Sequence, residues 1–278
     1  EHLIPLDKTS MGFSIQNDKY KWAFGTGVRN ALSLVTNPEF WRFVRSKSQF
    51  HADGLAFIEQ SKPPKISLKQ FCEDHGYHPA FVYGWLQPFC EAVWSSPATA
   101  ALEMEAYTIL CFLRNHGFMR WSVLQWYTPQ GRTTLTIERF TELFAKFGVK
   151  TRTSATVKSV ARGEMGGPVT LTLADGSKDI FDKVVLATPS GTALKMLEDP
   201  DQIDRDALGG FDATSNKVVL HTDPSLMPEK KMHWVSWNVI QSPKQVDKSV
   251  LTYWVRPLQH IKEDNLFITL NPPEGTPA

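Results

Sequence analysis

The sequence predicts a mixed α/β protein, because the spacing of its apolar residues changes in character along the chain. Residues 1–130 carry mainly helical patterns, residues 131–212 mix strand and helix patterns, and residues 213–278 carry strand patterns. The 278 residues are 42% hydrophobic and 12% aromatic, which suits a folded chain with a large core. At roughly 150 residues per domain, this length predicts about two domains.

Three helices are predicted in the first segment. The Asn-Pro-Glu of residues 37–39 starts one, since asparagine caps a helix and proline suits its first turn. Ser67 caps a short second helix that ends at Gly76. The Ser-Pro of residues 96–97 starts a third, with apolar residues at steps of three and four until Gly117 ends it.

The second segment begins with an amphipathic helix and continues with strands. The helix ends at Gly148 and has Ile137, Phe140, Phe144 and Phe147 on one face. Strand patterns follow at residues 156–160 and 169–173, and the Asp-Gly of residues 175–176 predicts a hairpin turn. The continuous apolar run at residues 183–187 predicts a strand that is buried on both faces and leads into a helix.

Four strand-like runs make up the third segment, at residues 217–222, 232–240, 249–255 and 266–270. In the second run, Trp237 lies on an apolar face, whereas Trp234 and Asn238 lie on a mixed polar and aromatic face. The apolar face is expected to pack on the core. The mixed face either lines a cavity or contacts water, and alternation alone does not decide between them.

Charge and cysteine content exclude several classes of protein. The 30 Lys and Arg balance 29 Asp and Glu, so the net charge of +1 favours neither nucleic acid nor anionic lipid as a partner. No apolar run approaches the roughly 18 residues of a membrane-spanning helix. The three cysteines form no C-x-x-C pair, so we expect no metal site, and their sparse odd number predicts a reducing, cytoplasmic compartment.

The Gly-Thr-Gly-Val-Arg-Asn of residues 25–30 matches part of a dinucleotide-binding motif. Asn30 stands where the third glycine of that motif allows close packing of helix on strand. The preceding segment is short and charged rather than a buried strand. We therefore interpret residues 25–30 as an ordinary loop.

Six segments resemble, in order, those of flavin-containing amine-oxidoreductase-like proteins, a family of predicted NAD/FAD-binding proteins. Many members of this family are encoded beside, or fused to, cyclopropane-fatty-acid synthases. The segments are residues 92–97 (AVWSSP), 112–117 (FLRNHG), 181–188 (FDKVVLAT), 220–228 (LHTDPSLMP), 234–238 (WVSWN) and 251–254 (LTYW).

This resemblance implies a doubly wound FAD-binding domain interleaved with a substrate domain of helices and mixed or antiparallel sheet. Residues 131–212 would be the remaining part of the FAD domain. Residues 1–130 would supply the helices of the substrate domain, and residues 213–278 its antiparallel sheet. The resemblance also implies that Val157, at a strand edge, and Ala187 and Thr188, in a turn, neighbour the FAD.

The chain departs from the family pattern at the FAD site. The N-terminal G-x-G-x-x-G segment and the Gly-rich C-terminal segment of the family are missing, and the W-R-x-V-x-G-G segment is replaced at residues 126–131 (WYTPQG). We therefore expect the 278 residues to be an internal fragment that binds FAD weakly and is inactive alone.

The implied activity is hydride transfer to FAD from a C–N or C–C bond of a small-molecule or lipid-like substrate. His116, Trp234, Trp237 and Asn238 are the candidates for the substrate pocket, and the sequence names no catalytic acid or base. Two alternatives stay open at this point: a desaturase-like or protoporphyrinogen-oxidase-like enzyme, and a non-catalytic binding or scaffolding module. The sequence makes no prediction of oligomeric state.

Overall fold

The computed structural model describes residues 4–25, 34–120, 125–211, 215–241 and 249–273. The chain divides into two compact units. One comprises Leu3–Thr136 together with Asn216–Ala278, and the other comprises Ile137–Ser215. The predicted mixture of helices and several sheets is confirmed.

The strands and helices of the described residues are numbered here in chain order. The strands are β1 (Leu6–Thr9), β2 (Phe13–Gln16), β3 (Lys21–Phe24), β4 (Trp126–Pro129), β5 (Val157–Ala161), β6 (Val169–Leu173), β7 (Lys178–Phe181), β8 (Val218–His221), β9 (Trp237–Gln241), β10 (Ser249–Trp254) and β11 (Phe267–Leu270). The helices are α1 (Pro38–Ile58), α2 (Leu68–Asp74), α3 (Pro79–Phe81), α4 (Gln87–Trp94), α5 (Ala98–Ala101), α6 (Ala106–Asn115), α7 (Arg132–Lys146), α8 (Ser190–Met196), α9 (Gln202–Gly209) and α10 (Val255–Gln259).

The first unit contains a six-stranded sheet of order β3-β2-β9-β10-β11-β8. The β2–β9 pair is parallel and the other pairs are antiparallel. A row of apolar residues crosses four strands in register, and all of its members belong to the hydrophobic core that the sheet shares with the helices. These are Ile15, Val239, Leu251 and Leu270.

Aromatic rings fill the helical side of this core. Phe43 and Phe50 project from α1, and Phe81 packs its ring 5.0 Å from that of Phe50. Phe71 on α2 is fully buried and lies edge-on to Phe50. Each ring buries a large apolar area, so this cluster stabilises the first unit through packing.

A five-residue π-helical segment, Val82–Leu86, joins α3 directly to α4. Trp22 on β3 is 1% exposed, and its Nε1 donates a hydrogen bond of 2.7 Å to the carbonyl oxygen of Gly84 in this segment. The wider turn leaves backbone groups outside the ordinary helical pattern, and the buried indole satisfies one of them.

The second unit has an antiparallel sheet of order β5-β6-β7 followed by α8 and α9. As predicted, β6 and β7 form a hairpin, and its turn residue Gly176 has a φ of +84°. The Arg162 guanidinium contacts the Asp204 carboxylate at 2.7 Å and so ties the end of β5 to α9.

The predicted starts of two helices are confirmed. The Asn37 side chain accepts a hydrogen bond from the Glu39 amide at the start of α1, and Ser67 caps α2 in the same way. The predicted third helix is instead broken into α5 and α6, and Ser96 does not cap it. In the break, Leu68 and Lys69 donate backbone hydrogen bonds to carbonyls of residues 104 and 102, which an unbroken helix would use internally.

Three strand predictions are wrong in whole or in part. The segment before residues 25–30, predicted not to be a buried strand, is β3, in which Trp22 and Ala23 are each 1% exposed. Residues 183–187 form no strand in the described structure, and Val185 is 90% exposed. A strand buried on both faces requires neighbours on either side, and β5–β7 do not supply them to this segment. The predicted strand at residues 232–240 is shortened to β9, because Lys231–His233 forms a 3₁₀ turn.

The amphipathic pattern of α7 is correct, but none of its residues is buried. Phe140, Phe144 and Phe147 are all exposed.

Within the part of the chain that the structure describes, no helix combines the length and the apolar character needed to cross a bilayer.

Candidate functional site

The first unit contains a cavity of about 680 Å³, a volume typical of small-molecule sites. It lies where the sheet, α1, α4 and the segment after α6 come together. Its lining residues are Thr9, Ser10, Met11, Gly12, Phe13, Phe24, Gly25, Lys47, Trp85, Phe89, Val93, Phe112, His116, Phe118, Arg120, Gln125, Trp126 and Trp237.

Aromatic rings form much of the cavity wall. Trp85, Phe89 and Val93 follow one another at intervals of four residues, so one face of the π segment and α4 points into the cavity. The rings of Trp85 and Phe89 are stacked with centroids 5.0 Å apart. Phe118 lies 4.8 Å from Phe89 and 5.7 Å from Trp126, measured between ring centroids. A wall of this kind suits a flat or apolar ligand.

Close backbone approach shapes one edge of the cavity at two glycines. Gly25 has a φ of +85°, and a Cβ there would lie 2.9 Å from the Gly12 Cα. A Cβ on Gly12 would lie 2.8 Å from the Val235 side chain. Side chains at either position would therefore displace the strands that border the cavity.

Lys47 is the half-buried positive charge of the cavity. Its Nζ lies 4.8 Å from the centroid of the Trp85 ring, within the range of a cation–π interaction. Burial lowers the pKa of the Lys47 ammonium to about 8. One turn along α1, burial and then the Lys47 charge lower the pKa of His51 to about 4, so His51 is neutral at pH 7.

His116 and Trp237, two of the four predicted pocket residues, line this cavity. The Nδ1 of His116 lies 2.9 Å from the Phe112 carbonyl oxygen, which makes Nδ1 the protonated nitrogen of the neutral ring. The ring also stacks on Phe112 with a centroid separation of 4.0 Å. The Trp237 ring lies edge-on to Tyr253 at 5.3 Å. Their role in substrate binding stays a prediction.

Trp234 and Asn238, the other two predicted pocket residues, lie outside the described cavity lining. Trp234 packs edge-on against Trp254 and Phe267, and its Nε1 donates to the Pro228 carbonyl oxygen. Asn238 is fully buried, and its side chain bonds to the backbone of Val235. These contacts fix both side chains through packing and hydrogen bonds, and their role in the substrate pocket stays a prediction.

Asn238 belongs to a buried row of polar residues that crosses the sheet. Ser14 donates a 2.8 Å hydrogen bond to the Asn238 side chain, which in turn donates to the Thr252 carbonyl oxygen. The hydroxyls of Thr252 and Thr269 are 2.8 Å apart, and His221 Nε2 lies 2.7 Å from Thr269 Oγ1. Asn238 thus contacts neither the described cavity nor water, because its polar atoms bond internally along this row.

The predicted cofactor neighbours lie in the second unit. β5 is an edge strand, and among the described residues its outer side has no strand partner at Val157. The adenine contact at Val157 that the resemblance implies stays a prediction. Ala187 and Thr188 are exposed just before α8.

In the partial dinucleotide motif, residues 26–30 lie outside the described residues. The described residues also contain no cluster of three or more His, Cys, Asp or Glu that could hold a metal.

Sequence reasoning missed Lys47, Trp85, Phe89 and Phe118. The four-residue spacing from Trp85 to Val93 is a detectable helical stripe, but the same stripe is equally typical of a core face. Lys47 carries no local signal, because its position in the cavity depends on the packing of α1 against the π-helical segment that carries Trp85.

A family model described as flavin containing amine oxidoreductase matches residues 17–255. The chain belongs to this family. Membership confirms the predicted flavin cofactor, FAD. A comparison with curated protein sequences gave no match.

Solved structures of putrescine oxidase share the fold of this flavin-family chain. A single mutant from a redesign of cofactor binding matches with a TM-score of 0.59 at 10% identity, covering 96% of this chain and 58% of that one. The wild-type enzyme bound to putrescine matches with a TM-score of 0.58 at 10% identity, covering 96% and 59%. The chain thus spans less than two thirds of the length of these structures.

Proposed function

We propose that this chain is an internal part of an FAD-dependent oxidoreductase whose substrate occupies the cavity of the first unit. One observation carries the proposal: a chain of a flavin-containing family has a 680 Å³ cavity with largely aromatic walls. The comparison with the putrescine oxidase structures supports the proposal that the chain is part of a longer protein, since about two fifths of those chains have no counterpart here.

The flavin supplies the hydride acceptor when it is bound, and the protein supplies binding, orientation and exclusion of water. Trp85, Phe89 and Phe118 would hold an apolar substrate by ring contacts. In the second unit, the edge of β5 at Val157 and the residues Ala187 and Thr188 would contact the cofactor.

Several finer features belong to the same proposal. Residues 131–212 would be the remaining part of the FAD domain, with 1–130 and 213–278 as the substrate domain. The apolar cavity wall supports a substrate that is apolar, and lipid-like in that sense. Cys72, Cys90 and Cys111 form no disulfide, which supports a cytoplasmic location.

FAD titration of the purified 278-residue chain, monitored by the visible spectrum of the flavin, tests the proposal that the chain is an internal part of a longer protein. We expect weak binding or none, because the sequence has no pyrophosphate-binding G-x-G-x-x-G segment. A stoichiometric yellow complex would contradict this part of the proposal.

A longer gene product that includes such a segment tests the activity. We expect it to purify with FAD and its flavin band to bleach when a substrate is added without oxygen. Trp237→Ala should slow the bleaching. Trp41→Ala, at an exposed site outside the cavity lining, is the matched control. A longer protein that binds no flavin would indicate a non-catalytic module instead.

A further inference from the structure

The charged side chains in the described wall of the cavity are all basic. Lys47 and Arg120 line it, and no Asp or Glu does. The two undescribed stretches that adjoin lining residues in sequence, 26–33 and 121–124, also contain no Asp or Glu. A cavity of this charge attracts anions and repels cations.

The acidic group nearest in sequence to the aromatic wall does not offset these charges. Glu91 lies between Phe89 and Val93 on α4 but is outside the described cavity lining. Its carboxylate instead accepts a hydrogen bond from Gln241 on β9. Among the described lining residues, the formal charges are therefore those of Lys47 and Arg120.

Lys47 and Arg120 differ in their surroundings. Lys47 is half-buried against Trp85, where an ion pair is screened less than at the surface, whereas Arg120 is exposed. With a pKa of about 8, the Lys47 ammonium is still mostly charged at pH 7. The cavity thus has one cation beside the aromatic wall and another at an exposed position of its lining.

We propose that the substrate of this cavity is an apolar molecule bearing a carboxylate, which Lys47 and Arg120 bind while the aromatic rings hold its body. This inference rests on the proposed function, because it takes the cavity as the substrate site. It distinguishes the chain from an enzyme for diamines, whose cationic substrates would meet Lys47 and Arg120.

Calorimetric titration of the 278-residue chain at pH 7 with phenylbutyrate and phenylbutylamine tests the proposal. These ligands share an apolar body and differ in the sign of the head group. We expect the acid to bind about tenfold more tightly or better, since a hydrogen bond to a charged group in a partly buried site has that effect. Putrescine should bind more weakly than the acid.

Three variants identify the groups that bind the acid. Lys47→Met should remove most of the preference for the acid, and Arg120→Met should reduce it. Lys69→Met, at an exposed site on α2, should leave it unchanged. Circular dichroism checks folding, and because Arg120 is exposed, its variant keeps the test valid if Lys47→Met does not fold.

The proposal is overturned if the amine or putrescine binds as tightly as the acid, or if the acid does not bind. It is also overturned if the preference is unchanged in folded Lys47→Met and in Arg120→Met. These titrations contain no flavin, so failure of the flavin experiments would leave their outcome unaffected. Likewise, a preference for amines would leave flavin reduction by the longer protein intact.

Discussion

At Gly84 the packing leaves no room for a side chain. A Cβ would lie 2.6 Å from the Trp22 ring and 3.2 Å from the Tyr20 ring, and both rings are rigid and buried. We predict that Gly84→Ala lowers the free energy of unfolding by about 1–3 kcal/mol, the range for an overpacked core. Urea denaturation measures this, with Gln60→Ala at an exposed turn as the control.

An unchanged midpoint of urea denaturation in Gly84→Ala would show that the π-helical segment Val82–Leu86 can move away from β3. The hydrogen bond from Trp22 to the Gly84 carbonyl argues against such movement, because displacing the segment would leave a buried indole N–H without a partner.

Glu91 couples the stability of the first unit to pH. It is 4% exposed between α4 and the sheet, and burial raises the pKa of its carboxyl from 4.5 to about 7. The folded state therefore holds this proton more tightly than the unfolded state. The contribution of Glu91 to stability is full below about pH 4.5, falls as the pH rises to about 7, and is constant above.

We predict that Glu91→Gln removes this dependence. The variant should gain about 3 kcal/mol on the wild type between pH 4.5 and pH 8, the equivalent of the pKa shift. Urea denaturation of both proteins at the two pH values measures the gain. Glu73→Gln replaces an exposed carboxyl and controls for the lost charge. A constant difference between wild type and Glu91→Gln would contradict the prediction.

Among the elements, α1 is stabilised at its start by Asn37, the residue that precedes its first turn. The Asn37 side chain accepts the Glu39 amide at 3.0 Å. We predict that Asn37→Ala costs about 1 kcal/mol of stability, whereas Asn37→Asp, which keeps an acceptor, costs little. Thermal and urea denaturation measure both. An equal loss in the two variants would assign the effect to something other than the cap.

α7 and residues 183–187 show that an apolar sequence pattern does not determine whether the element becomes buried. Both carry the apolar pattern of a buried element, yet Phe140 on α7 is 49% exposed and Val185 is 90% exposed. Periodicity reports which residues share a face. Whether another part of the protein covers that face depends on residues elsewhere.

For the whole molecule, the exposed segment 183–187 allows a test of the proposal that the chain is part of a longer protein. We predict that the amides of residues 183–187 exchange with deuterium almost unprotected in the 278-residue chain. In a longer protein they should be protected about 100-fold or more, since a strand covered on both faces opens rarely. Mass spectrometry of exchange measures this, with β6 as the control segment. Equal exchange in both proteins would contradict a missing neighbour strand.

The sequence by itself determined the family and part of the secondary structure. The caps at Asn37 and Ser67, the Asp-Gly hairpin turn and the strands of the third segment depend on local backbone chemistry, which short patterns record. The six segments that resemble the flavin family are also local, and for that reason membership could be predicted before any coordinates were known.

Only the tertiary structure decided which side chains meet. Trp237 and Lys47 line one cavity although about 190 positions separate them, and Asn238 is bonded within the sheet although its neighbour Trp237 lines that cavity. No local pattern encodes such distant contacts, because they follow from how sheet and helices pack. The charge of the cavity and the exposure of Val185 are therefore properties of the folded chain alone.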